Sequence, residues 1–369
     1  MHKYVLSTIM GVESLAKKEI ERQGGEILEV VDRLITFQGG PELIPRMNFW
    51  SRVGNKMYIL LAEEDNVTNF DDLFNLVNKV HWKKYFKKDF PILVKATSQR
   101  SELGAIPTIQ SIGKKAIVKS LLGEKEGVIK EDPELEKMDI LVLIIDNKVR
   151  ILLNTSGKAL HMRGYRTEAG EAPIKESLAA ACILLSNWRF KENFYDPFCG
   201  SGTFAIEALM IARNIAPGLK RRFAFENLNL VDWETCELER ANARKKRFDG
   251  EYKIYASDID PEMIEIAKSN ALRAGQEGQI SFSVQDFKST ITEGYSGTII
   301  TNPPYDKRLQ INDIDSLYKN LDKLFRINPE LKGGVITGYL EFDDLIKLSD
   351  YKKRKLYNGG ELCYLYRRK

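Results

Sequence analysis

Cysteine and histidine are both scarce: 369 residues hold four cysteines (Cys182, Cys199, Cys236, Cys363) and three histidines. The cysteines show no paired spacing, so neither a disulfide framework nor a zinc site is expected, and the histidines form neither a metal cluster nor a triad with a serine. No run of about 18 uncharged apolar residues occurs, as a membrane-spanning helix would require. The opening stretch MHKYVLSTIMGVESLAKKEI is charged throughout and has no apolar core of signal-peptide length. These absences predict a cytoplasmic protein in reducing surroundings, with no membrane and no metal among its partners. An excess of one charge is lacking too. Lys+Arg 56 against Asp+Glu 52 leaves +4, and residues 1–160 and 161–369 each carry a surplus of two, so the total does not choose a partner. What remains is a chain 43% hydrophobic and 29% charged, folded, and long enough for two or three domains.

The first fifty or so residues read as a β-α-β-β unit of ferredoxin-like type. A strand (Tyr4 to Ile9) precedes a helix with Val12, Leu15, Ala16 and Ile20 on one face, and strands Glu26 to Val31 and Arg33 to Gln38 follow Gly24-Gly25. Lys56 to Glu63 alternates too weakly to assign. Helices and strands then alternate to an apolar hairpin turned at Asp146-Asn147, so an α+β region ends near Asn154. Residues 156–175 form a polar, glycine-punctuated connector. Beyond it the order becomes strictly β then α, with a charged insertion from Ala216 to Gly250, and a closing hairpin turned at Gly359-Gly360. The expected fold class is α/β: a Rossmann-like, doubly wound sheet finished by an antiparallel strand, preceded by α+β structure.

Asp196-Pro197-Phe198-Cys199-Gly200-Ser201-Gly202-Thr203 sits where a strand gives way to a helix. Its glycines let a ligand approach the backbone, but the spacing matches neither the dinucleotide fingerprint nor the phosphate-binding P-loop. A leading carboxylate repels phosphate and suits an amino-acid ammonium, which points to S-adenosylmethionine. Asp258 ends the next strand, placed to accept ribose hydroxyls, while Asp260 fits a helix N-cap before Pro261. Asp286 ends the third strand and is placed for the adenine amino group. The cofactor candidates are therefore Asp196, Phe198, Gly200, Ser201, Gly202, Thr203, Asp258, Ile259, Asp286 and Phe287.

Thr301-Asn302-Pro303-Pro304-Tyr305 ends the fourth strand and is the most specific signal present. An exocyclic amine on a nucleobase is a weak nucleophile because its lone pair is delocalised into the ring. Acceptors at the Asn302 side chain and the Pro303 carbonyl would draw its two N–H groups and aim the lone pair at a methyl sulfonium. Pro303 and Pro304 stiffen the backbone, and Tyr305 can stack on the base. Cysteine chemistry on a pyrimidine carbon is disfavoured, because Pro304 stands where a nucleophile would be needed; Cys199 reads as a small buried residue. Basic residues are the RNA-contact candidates: Lys83, Lys84, Lys87 and Lys88 interleaved with Tyr85 and Phe86, Arg163 and Arg166 around Tyr165, and also Arg100, Lys114 and Lys115. The runs Lys220-Arg221-Arg222 and Arg367-Arg368-Lys369 add further positive charge.

These motifs, with the connector residues Leu160-His161-Met162-Arg163-Gly164-Tyr165-Arg166 and Ala172-Pro173-Ile174-Lys175-Glu176, resemble the THUMP-containing guanine-N2 RNA methyltransferases, in particular the RlmL-like branch with a single methyltransferase domain. The resemblance covers essentially the whole chain. It implies a ferredoxin-like subdomain (1–55), a THUMP RNA-binding domain (56–155), the connector (156–175) and a class I methyltransferase domain (176–369). It also implies methylation of the exocyclic N2 of a guanine in 23S ribosomal RNA, with Asn302, Pro303, Pro304 and Tyr305 at the target amine. A transfer RNA guanine-N2 methyltransferase is the alternative within enzymes, and a non-catalytic RNA-binding assembly factor the alternative outside them. Asp306 departs from the glycine that some members place after this motif.

Overall fold

Tyr4, Val5 and Leu6 of β1 (His2–Thr8) are all fully buried, as expected of a strand covered on both faces. In this computed structural model the described residues are 1–85, 91–123, 131–132, 134–135, 137–166, 173–305, 311–347 and 350–368, without the side chains of 311–313. Lys87 and Lys88, as well as Asp306 and Lys369, lie outside them. The chain divides into two compact units: residues 1–8, 16–160 and 221–242, and residues 9–15, 161–220 and 243–369.

In the first unit β1 is followed by α1 (Glu13–Arg22), β2 (Glu26–Val31), β3 (Leu34–Gly39), α2 (Leu43–Trp50) and β4 (Gly54–Glu64). Then come α3 (Phe70–Asn78), β5 (Ile92–Gln99), α4 (Ile106–Leu122), β6 (Met138–Ile145) and β7 (Lys148–Asn154). All seven strands form one sheet in the order β2-β3-β1-β4-β7-β6-β5, antiparallel except for the β5–β6 pair. The stretch that the alternation could not assign is thus the long central strand, with β1 on one side and β7 on the other. Met57, Tyr58 and Ile59 run consecutively buried because both faces are covered, which removes the period-two signal. The β-α-β-β start is present as expected, but its sheet is continuous with that of the following region. Asn69 caps α3 by accepting from the Asp72 backbone N–H at 2.9 Å.

Residues 221–242, part of the insertion, belong to this unit. Phe223 and Phe225 stack at 5.6 Å and Phe223 packs on Phe49 at 5.7 Å, while Arg46 makes a two-pronged ion pair with Glu239 at 2.8 Å. Arg221 is spent within the unit, donating to the carbonyls of Ala159 at 2.6 Å and Lys158 at 2.7 Å.

The later elements are α5 (Glu176–Ser186), β8 (Phe194–Asp196), α6 (Thr203–Ala212), α7 (Trp233–Lys245), β9 (Ile254–Asp258), α8 (Pro261–Ala274), β10 (Ser281–Val284) and β11 (Gly297–Thr301). After these come α9 (Ile311–Ile327), β12 (Leu331–Thr337), α10 (Phe342–Leu345), β13 (Tyr351–Asn358) and β14 (Glu361–Arg368). The second unit's sheet runs β10-β9-β8-β11-β12-β14-β13. Its first five strands are parallel, and β14 inserts antiparallel between β12 and β13. This is the doubly wound sheet with an antiparallel last strand that the sequence predicts. Helix α6 is buried along its whole length, so its sequence TFAIEALMIA shows no polar face. Among the described residues no helix is long and apolar enough to cross a membrane, and all four cysteines are free and buried.

Candidate active site

The carboxyl ends of β8, β9, β10 and β11 open onto one cavity of about 700 Å³. This is where a doubly wound sheet offers a crevice, because the loops leaving neighbouring strands diverge there. From the β8–α6 loop the lining takes Phe198, Cys199, Gly200, Ser201 and Thr203, and from the end of β9 it takes Asp258 and Ile259. Asp286 and Phe287 follow β10, and Asn302, Pro303, Pro304 and Tyr305 follow β11. Asp196 and Gly202 do not line it.

The loop geometry explains its glycines. Gly200 (φ 48°) and Gly202 (φ 81°) are left-handed, and a Cβ on Gly202 would stand 3.0 Å from that of Ala267. The Gly200 N–H donates to Asp258 Oδ2 at 2.8 Å, and the Asp260 N–H donates to Oδ1 at 3.1 Å. Two backbone donors thus fix the carboxylate, and each oxygen keeps a second lone pair for a hydroxyl. Asp260 is the N-cap of α8 before Pro261, accepting from the Glu262 N–H at 2.8 Å. Asp286 caps a short 3-10 turn (Phe287–Thr290) through the Lys288 N–H at 2.9 Å, while remaining exposed on the cavity.

Asp196 sits beneath the loop and is 1% exposed. Its Oδ1 accepts from Thr301 Oγ1 at 2.7 Å and its Oδ2 has no hydrogen-bond partner. Burial pushes this carboxyl up to about 7, and Asp258 nearby adds to the rise. Burial also raises the Cys199 thiol, leaving it protonated and unsuited to nucleophilic work.

The motif after β11 is held from outside. The Tyr305 ring lies over Gly338, where an added Cβ would meet it at 3.0 Å. Tyr318 donates to or accepts from Thr337 at 2.5 Å, fixing the residue before that glycine.

Two expected RNA contacts are corrected by burial. Arg163 is 2% exposed and faces the buried Glu207 carboxylate at 3.5 Å. Arg166, nearly buried, pairs with Glu176 at 3.2 Å. Neither side chain presents itself to a polyanion. Of the terminal run, Arg367 donates to the Leu185 carbonyl and Arg368 pairs with Asp350 at 2.9 Å. Lys83, Lys84 and Lys115 are exposed. Lys114 pairs with Glu131 at 2.7 Å, and Arg100 forms an exposed two-pronged pair with Asp146 at 2.7 and 2.8 Å. Sequence reasoning missed Glu207, Asn270 and Arg273. Asn270 is fully buried and donates to the Ser201 carbonyl at 3.0 Å, and Arg273 donates to Asn270 at 2.7 Å. Their only sequence signal is a polar residue on an otherwise apolar helix face.

Among the described residues no group of three or more His, Cys, Asp or Glu is arranged to hold a metal ion.

Comparison with known proteins gives three family matches along the chain: an RlmL ferredoxin-like domain over residues 3–58, a THUMP domain over 67–154, and an RMKL-like methyltransferase domain over 163–367. YpsC of Bacillus subtilis (strain 168) is 36% identical over 370 residues, which cover 97% of this chain and 94% of that protein. The ribosomal RNA large subunit methyltransferase K/L of Aliivibrio salmonicida is 33% identical over 379 residues, covering 98% of this chain and 53% of that protein. The chain therefore spans about half the length of that relative. The crystal structure of SMU.472, complexed with SAH (S-adenosylhomocysteine), superposes with a TM-score of 0.90 at 36% identity, covering 100% of this chain and 97% of that one.

Proposed function

Since the chain belongs to the RMKL-like methyltransferase family, we propose that it transfers a methyl group from S-adenosylmethionine to the exocyclic N2 of a guanine in large-subunit ribosomal RNA. The observation that carries this reading is the convergence of two motifs on one cavity, the glycine loop 198–203 and Asn302-Pro303-Pro304-Tyr305.

The donor set fits the cofactor. Asp258, fixed by two backbone N–H groups, suits a vicinal diol. Ile259 and Phe287 offer apolar surface to a purine, with Asp286 at its amino edge. Gly200 faces open space, since no atom lies within 4 Å of a Cβ built there. Asp196 beneath the loop has an unpartnered oxygen and a carboxyl raised to about 7, and a cationic methionine end would draw it to its charged form. When bound, S-adenosylmethionine supplies an electrophilic methyl on a sulfonium.

The chain's own part is to orient the target. The Asn302 side-chain oxygen and the Pro303 carbonyl are the acceptors for the two amine N–H groups, drawing the nitrogen out of conjugation. Tyr305 stacks on the base, and the two prolines hold the acceptors in place before the base arrives. No ionisable group occurs in Asn302-Pro303-Pro304, so the displaced proton passes to water. RNA grip is assigned to the THUMP region, with Lys83, Lys84, Lys115 and the partly neutralised Lys114 and Arg100 as contacts.

Purified protein incubated with methyl-labelled cofactor and RNA from cells lacking the gene tests this. Label recovered as N2-methylguanosine in the large-subunit RNA supports it; no transfer by protein that binds the cofactor normally refutes it.

A further inference from the structure

Arg163, Tyr165 and Arg166 of the connector are residue types that suit RNA, and all three turn inward. Tyr165 Oη donates to Glu207 Oε1 at 3.2 Å, the oxygen that Arg163 also faces. Glu207 lies on α6 one turn beyond Thr203, where the cofactor loop becomes helix. In the other direction the Tyr165 carbonyl accepts from Arg273 Nε at 2.9 Å. Arg273 Nη2 donates to Asn270 Oδ1 at 2.7 Å, and Asn270 Nδ2 donates to the Ser201 carbonyl at 3.0 Å. A continuous polar path therefore runs from the connector through α8 into the middle of the glycine loop.

A second tie reaches the cavity wall. Arg166 Nη2 donates to the Ile174 carbonyl at 2.9 Å and pairs with Glu176, at the start of α5, at 3.2 Å. Pro173 and Ile174 are themselves cavity-lining residues. Both ties act on backbone carbonyls of segments that lack regular structure of their own. The Gly200 N–H on Asp258 and the Gly202 N–H on the Cys199 carbonyl at 2.8 Å hold the loop at its glycines, and the path through Asn270 adds an anchor at the Ser201 carbonyl between them.

We infer that Tyr165 and Arg166 of the connector, with Arg273 and Asn270 of α8, position the cofactor cavity: Arg273 and Asn270 fix the loop at Ser201, Arg166 fixes the wall at Ile174, and these residues tune cofactor affinity instead of RNA affinity. The inference rests on the reading of the cavity as the cofactor site. It also assigns a role to Arg273, a half-buried residue that touches no cavity surface. Its side chain joins three partners, Tyr165, Asn270 and Ser269.

The test uses the full chain with Arg273→Met, Arg166→Met and the conservative Arg273→Lys. Calorimetry gives the dissociation constant for S-adenosylhomocysteine, and fluorescence anisotropy gives that for labelled large-subunit ribosomal RNA from cells lacking the gene. Thermal melting without ligand monitors the fold. Arg273→Met is expected to weaken S-adenosylhomocysteine about tenfold, with RNA affinity within about twofold of wild type and the fold retained. Arg166→Met should weaken it severalfold, and Arg273→Lys should recover part of the loss. In turnover the cost should fall on KM for the cofactor, with kcat little changed. Unchanged S-adenosylhomocysteine affinity in both methionine variants overturns the inference, as does weakened RNA binding with cofactor affinity intact. Should Arg166→Met fail to fold, Arg273→Met, on a partly exposed side chain, decides alone. Wild-type protein that binds no S-adenosylhomocysteine would instead overturn the reading of the cavity itself, and the inference with it.

Discussion

Thr301 Oγ1 donates to Asp196 Oδ1 across 2.7 Å, joining the last residue of β11 to the last residue of β8 beneath the glycine loop. The two strands are neighbours in the sheet, so one buried bond ties the loop of one motif to the root of the other. The opposite oxygen of Asp196 has no partner, and desolvation raises the carboxyl up to about 7 from its ordinary 3.8.

A pH dependence follows from that rise. Between the unfolded value and the native one, the native state holds a proton that the unfolded chain has lost. Asp196 therefore makes stability fall as pH rises from about 4 to about 7, with no further loss above. Urea unfolding midpoints of the cofactor-free protein across this window should show that fall, and Asp196→Asn should flatten it relative to wild type. Parallel profiles in the two proteins would mean that Asp196 titrates in its ordinary range.

Asn302→Ala separates binding from chemistry. Asn302 lines the same cavity as Asp258, Ile259, Asp286 and Phe287, with the target amine assigned to it and the cofactor to them. Loss of one aligned polar group at the reacting atom costs about 10²–10³ in kcat. Turnover should drop by that factor, with S-adenosylhomocysteine affinity within about threefold of wild type. A variant with wild-type turnover would remove Asn302 from the mechanism.

Gly338→Ala probes the Tyr305 platform from behind. The new methyl would stand 3.0 and 3.1 Å from two ring carbons of Tyr305, which must move. Base stacking is worth about 1–3 kcal/mol, so KM for RNA should rise at least severalfold while cofactor affinity holds. An unchanged KM for RNA would show that the ring's placement does not matter to substrate binding.

Lys83 and Lys84 stand exposed on a 3-10 turn (Trp82–Lys84) whose Trp82 is buried, so charge can be reversed there without disturbing the core. Each cation that neutralises a phosphate steepens the fall of log K with log salt by about 0.7–0.9. Lys83→Glu with Lys84→Glu should weaken RNA binding and flatten that slope by between one and two such steps. An unchanged slope would exclude both lysines from the RNA interface.

The second unit was the more legible in sequence because each motif lies at the end of its own strand. Asp258 with Ile259, Asp286 with Phe287 and Asn302 to Tyr305 all reach the cavity through strand order alone. Long-range burial hid the rest. β4 lost its alternation because both its faces are covered, and residues 221–242 gave no sign in their charged pattern of belonging with the first unit. Arg163 and Arg166 stood in a polar connector and looked solvated. Their acceptors are on α6 and α5, and Glu207 sits in a helix so apolar that nothing local marks it as a partner.

The most direct test of the central claim is mass-spectrometric mapping of N2-methylguanosine in ribosomal and transfer RNA from cells with and without the gene. One large-subunit ribosomal RNA guanosine should lose its methyl group in the deletion and regain it with the wild-type gene but not with the Asn302→Ala form. Full methylation of every such guanosine in the deletion, or a loss confined to transfer RNA, would contradict the claim.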